Sequence, residues 1–107
     1  MIQVTGEKLA QVLQQHDVVA IDFFAPWCGP CKQMAPLVER IADEHAGRAL
    51  VAKCDIDQES AAAVQYSIKS IPTVILFHKG KEVERIIGFI PNFEEELKQK
   101  IATLLAL

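Results

Sequence analysis

Apolar residues recur three and four positions apart at Leu9, Val12 and Leu13, which predicts an amphipathic helix near the start of the chain. The period then vanishes. Val18 to Phe24 is a continuous apolar run of strand length interrupted only by Asp22, the pattern of a strand covered on both faces. Helical spacing returns at Met34, Leu37, Val38 and Ile41, with Gly47 as a stop and Pro36 inside, where the missing N–H and the ring should bend the helix. This second helix begins at two cysteines, Cys28 and Cys31. Ala49 to Cys54 reads as a second strand, and Asp55 to Ser60 lead into a short alanine-rich helix carrying Val64 and Ile68. Strand, helix, strand, helix implies parallel pairing.

Beyond Pro72 the run Thr73 to Phe77 is β-branched and apolar. Lys79-Gly80 then turns the chain into Lys81 to Ile87, giving a hairpin with an edge strand and hence a mixed sheet. Phe93, Leu97, Ile101, Leu104 and Leu105 form the stripe of a last helix, with Asn92 as its cap and Glu94, Glu95 and Glu96 in a solvated first turn where the helix dipole favours acids. Ile2 to Val4 is a weaker extra strand. No repeat or linker divides the pattern, so residues 1–107 are expected to form one α/β domain with helices on both faces of the sheet.

At 107 residues, half of them apolar, the chain can bury a core unaided. Eleven basic and fourteen acidic residues leave a net charge of −3 without a basic cluster, which argues against nucleic acid or an anionic membrane as partner. The first residues lack a charged leader followed by an apolar stretch, and no run of eighteen uncharged apolar residues occurs; a soluble cytoplasmic protein is the expectation. Three cysteines are too few for a secreted disulfide framework, and two of them in one Cys-x-x-Cys point to redox or metal chemistry.

Two cysteines three apart at a helix start lie about one turn from each other, near enough for the sulfurs to join with little movement. A cysteine in the first turn faces unpaired backbone N–H groups and the positive end of the helix dipole, both of which favour the thiolate. Cys28 is therefore expected to attack, and Cys31, turned toward the core, to resolve the mixed disulfide. Gly29 allows close approach of a substrate backbone, and Pro30 suits a first helical turn. A structural disulfide is a poor alternative, since closing so short a loop removes only about 2 kcal/mol of chain entropy. Zinc is another, but there is no second Cys-x-x-Cys, and Cys54, His16, His45 and His78 are scattered singly.

Asp22 is anomalous, because an acid in a fully apolar strand is unfavourable unless paired or protonated. It reads either as a buried proton carrier beside the thiols or as a cap for the following turn. Lys53 reads either as a catalytic lysine or as one that snorkels to solvent. Trp27, the only tryptophan, is either an exposed platform for a substrate or part of the core, and composition favours the core. The three histidines are expected at the surface, and Cys54 as a buried, inert strand thiol beside a regulatory alternative.

The residues Asp22-Phe23-Phe24-Ala25-Pro26-Trp27-Cys28-Gly29-Pro30-Cys31-Lys32, Pro36, Lys53-Cys54-Asp55-Ile56-Asp57, Ile71-Pro72-Thr73 and Gly88 closely resemble the motifs of the thioredoxin family, over nearly the whole chain. The resemblance implies a thioredoxin-like fold, a central mixed sheet of about five strands flanked by four helices. It implies a protein disulfide reductase in which Cys28 is the nucleophile, Cys31 resolves, buried Asp22 helps remove the proton from Cys31, and Lys53 lies close to Asp22. It also implies a cis Pro72 facing the cysteines, and a flat substrate surface of Trp27, Gly29, Pro30, Ile71, Pro72 and Gly88. The chain would hold no cofactor or metal and act as a monomer on disulfide-containing proteins, with reducing equivalents from a separate thioredoxin reductase. Phe24, Ser70 and the bulky Phe89-Ile90-Pro91 depart from the family pattern, the last two in the region that selects partners. Two further classes compete: a binding module serving as subunit or processivity clamp of a larger partner, and an oxidase or isomerase.

Overall fold

The computed structural model describes residues 1–107 as a five-stranded sheet between two helical layers. The elements run β1 (Ile2–Gln3), α1 (Gly6–Gln15), β2 (Val18–Phe24), α2 (Gly29–Glu44), β3 (Leu50–Asp55), α3 (Ser60–Gln65), β4 (Thr73–His78), β5 (Lys81–Ile87) and α4 (Phe93–Leu105). Strand order is β1-β3-β2-β4-β5. β3 is parallel to both β1 and β2, whereas β4 runs antiparallel to β2 and to β5, so the sheet is mixed and β5 is an edge, as the pattern predicts. Lys79 and Gly80 both take positive φ, 49° and 84°, the turn geometry whose twist matches a two-residue hairpin.

The two-residue period of β2 sorts the interior. Val18 and Ala20 belong to the core under α2 and α4, with Met34, Val38, Ile41, Phe93, Leu97 and Ile101. Val19, Ile21 and Phe23 belong to the core under α1 and α3, with Leu9, Val12, Ala62 and Cys54. By the same alternation Asp22 points to the α2 side of the sheet.

Four local expectations need correction. Val64 is 79 % exposed: α3 has only six residues and meets the sheet through Ala62, two positions away and on the opposite side of the helix. Ile68 lies beyond α3, after the positive-φ Ser67, and packs against the α1-side core. Asn92 precedes α4 but in a left-handed conformation, φ 59°, with no side-chain cap bond. His45 is buried at the end of α2, its Nδ1 2.8 Å from the carbonyl oxygen of Ile41. Pro36 lies inside α2, as expected, on its exposed side.

Fully buried Ile101 and exposed Val64 provide a paired test of this packing. Ile101→Ala should lose about 2–5 kcal/mol of stability and Val64→Ser no more than about 0.5 kcal/mol, read from urea unfolding midpoints. Equal losses would contradict the assignment of α4, and not α3, to the main core.

Candidate functional site

The chain leaves the end of β2, turns through Ala25-Pro26-Trp27, and enters α2 at Cys28. Cys28 is the N-cap residue, with extended backbone, and its Sγ accepts the backbone N–H of Cys31 at 3.2 Å. An N–H aimed at this sulfur, at the positive end of the helix, stabilises negative charge there. Cys28 and Cys31 are joined as a disulfide, their Cα atoms 5.2 Å apart. The two are 5 % and 3 % exposed, so accessibility separates them little, and the N-cap hydrogen bond distinguishes Cys28. Both pack with Ala25 in a small cluster against which Phe24, Ile56 and Ile71 lie.

Asp22 lies directly beneath the start of α2. A cavity of about 240 Å³ is lined by Asp22, Phe24, Cys31, Lys32 and Lys53 among others, and brings the carboxyl and Cys31 to one space. Asp22 is 3 % exposed, and its Oδ1 has no hydrogen-bond partner, so it caps no turn through that atom. Burial raises its pKa from 3.8 to about 7, and the positive charge of Lys53 opposes the shift without cancelling it. Lys53 is the cross-strand partner of Asp22 in the β2–β3 register. Its ammonium lies 5.4 Å from the centroid of the Phe24 ring and forms no ion pair with the carboxylate.

Around the disulfide, Trp27 is 68 % exposed, which overturns the core reading that composition favours. Its indole N–H donates to Asp57 Oδ2 at 2.9 Å, and the Asp57 backbone N–H donates to buried Asp55 Oδ1 at 2.9 Å. The role of Asp57 in fixing Trp27 is absent from the sequence reading; thirty positions separate the two, and no local spacing signals the pairing. The Ile71–Pro72 peptide is cis, as the resemblance implies. The Gly88 N–H donates to the Pro72 carbonyl oxygen at 2.8 Å, tying the end of β5 to this loop. Gly88 has φ 87°, and neither it nor Gly29 has any atom within 4 Å of where a Cβ would stand, so both leave open backbone.

Cys54 is on the other face of the sheet, fully buried, its thiol pushed up to about 11 by burial and by Glu59 and Asp55. A thiol so placed is inert. No group of three His, Cys, Asp or Glu side chains is arranged to hold a metal ion.

The raised pKa of Asp22 has a signed consequence for stability. Between about pH 4 and 7 the folded chain keeps a proton that the unfolded chain has released, so the contribution of Asp22 is full below about pH 4 and is lost as pH rises through 7. Asp22→Asn should match the parent near pH 4 and exceed it above pH 7 by roughly 2–4 kcal/mol, in urea unfolding of the oxidised proteins. A difference independent of pH would contradict the shift.

Comparison with known proteins fits this geometry. The thioredoxin family model matches residues 1–103. The chain is 41 % identical over 101 residues to a thioredoxin of Alicyclobacillus acidocaldarius, covering 94 % of each. It is 42 % identical over 91 residues to thioredoxin 1 of Nostoc, covering 84 % of this chain and 85 % of the relative. Among solved structures, a mutant thioredoxin from Halobacterium salinarum superposes with a TM-score of 0.89 at 38 % identity, covering 99 % of this chain and 91 % of that one. An exchangeable pair of sulfurs at a helix start, on a fold and sequence shared with these proteins, has one reading: the chain belongs to the thioredoxin family and is a thiol–disulfide oxidoreductase.

Proposed function

We propose that the chain is a general reductant of protein disulfides in which Cys28 attacks, Cys31 resolves and Asp22 takes the proton of Cys31. In the dithiol form the Cys28 thiolate attacks one sulfur of a substrate disulfide; the S–S bond breaks, a mixed disulfide forms and the other substrate sulfur leaves as thiolate. Asp22 then accepts the Cys31 proton through the shared cavity. The resulting thiolate attacks Cys28 Sγ, closing the Cys28–Cys31 disulfide and releasing the second substrate thiolate. Two electrons pass to the substrate, and a separate thioredoxin reductase returns them.

This reading rests above all on the unpartnered Asp22 carboxyl facing the same cavity as Cys31, with a pKa near working pH. Lys53 tunes that carboxyl by its charge. Exposed Trp27, Ile71 beside the sulfurs, and the open backbone at Gly29 and Gly88 suit an extended substrate segment lying across Pro30 and Pro72. No helix is long and apolar enough to cross a membrane. The proposed setting is the cytoplasm, as a single-domain monomer needing no cofactor of its own.

Cys31→Ser should accumulate a mixed disulfide through Cys28 after one turnover, and Cys28→Ser should fall to the rate of uncatalysed exchange; peptide mapping of the trapped partner onto Cys31 or Cys54 would reverse the roles. Asp22→Asn should slow reduction of a protein disulfide roughly tenfold or more at pH 7, with the deficit shrinking toward pH 9 as solvent removes the Cys31 proton instead. A pH-independent deficit would argue against proton transfer.

A further inference from the structure

Beside the cysteine-bearing face lies an open depression of about 470 Å³ that disulfide exchange itself does not use. Leu37 of α2, Phe89, Ile90 and Pro91 of the β5–α4 connection and Phe93 at the start of α4 form its apolar part, and Asn92, Glu94 and Glu95 complete the lining. Phe89 is 39 % exposed yet held in place, its ring edge-on to Phe93 with centroids 6.0 Å apart. The neighbouring charges are already matched: Glu94 binds Arg40 at 2.7 Å and Lys98 at 3.9 Å, and Lys98 also reaches Glu44 at 3.4 Å. Glu95, in contrast, is exposed and enters no ion pair or side-chain hydrogen bond.

Two chain connections tie the depression to the residues around the disulfide. Phe89 follows Gly88, whose N–H is bonded to the Pro72 carbonyl oxygen. Leu37 is nine residues beyond the attacking Cys28, on the helix that Cys28 caps, about 13 Å at a rise of about 1.5 Å per residue. An extended chain covers that distance in about four residues.

We propose that this depression is a substrate subsite for an arginine or lysine side chain placed about four residues from the cysteine under attack. The aliphatic stem of such a residue lies on Leu37, Ile90 and Pro91, and its cation meets the Phe89 ring and the free carboxylate of Glu95. The chain therefore prefers protein disulfides flanked by basic residues. This selectivity rests on the reductase reading above and adds to it a substrate class.

The test uses peptides whose single cysteine is capped by a chromophoric aromatic thiol, with Arg, Gln or Glu scanned from two to five residues away on either side. The dithiol protein should release the thiol with a kcat/KM about five- to tenfold higher for Arg than for Glu at one spacing of about four, and the preference should weaken in high salt. Glu95→Gln should reduce that ratio several-fold, Glu95→Lys should invert it, and Phe89→Ser should lower kcat/KM for the Arg peptide. Reduction of a small uncharged aliphatic disulfide should be unchanged in all three variants. Equal rates for Arg and Glu peptides at every spacing, or a preference untouched by Glu95→Gln, would overturn the subsite while leaving the reductase reading intact. Loss of small-disulfide reduction in the parent would instead undermine the reductase reading.

Discussion

Both layers of the molecule depend on the two-residue period of β2. Flanked by β3 and β4, this strand has no free edge, and its residues alternate between the α2/α4 core and the α1/α3 core. A one-residue slip would exchange the two sets. The same alternation places Asp22 on the α2 side, where its Oδ1 finds no partner and Lys53 is the one charge that offsets its burial. Ending β2 two residues later delivers the start of α2, and with it both cysteines, directly above that acid.

From this arrangement the two sulfurs acquire different surroundings although their exposure is nearly equal. Cys28 sits at the helix N-cap and receives an N–H. Cys31, one turn on, shares its cavity with a carboxyl that titrates near neutrality. A group stabilised as thiolate and a second thiol with a nearby base is the pairing that sequential attack requires. The residues proposed to face a substrate come from three separate stretches, Trp27 to Pro30, Ile71-Pro72 and Gly88, held by the Gly88–Pro72 and Trp27–Asp57 hydrogen bonds.

Features written in local periodicity were legible from the sequence: the four helices, the buried β2, the hairpin at Lys79-Gly80, and the cysteine pair at a helix start. Features decided by packing were not. Whether Asp22 caps a turn or lies orphaned depends on which helix crosses it, and a single-strand pattern does not contain that. Trp27 defied its composition because its indole N–H found Asp57 on a distant turn. Val64 and Asn92 depart for a smaller reason: apolar spacing and residue type suggest a buried face and a cap, but a six-residue α3 meets the sheet through Ala62, and the left-handed backbone of Asn92 goes with no cap bond. The family resemblance supplied what spacing could not, above all the cis Ile71–Pro72 bond.

The proposed mechanism turns on a buried carboxyl, its pKa raised to about 7, exchanging a proton with Cys31 across their shared cavity. A carboxyl ¹³C NMR titration of Asp22 in the oxidised protein, assigned by comparison with Asp22→Asn, reads that carboxyl without passing through turnover. The midpoint should fall near pH 7, about three units above an ordinary aspartate. A midpoint near pH 4 would mean that Asp22 is solvated or paired, and would contradict its role as the proton acceptor.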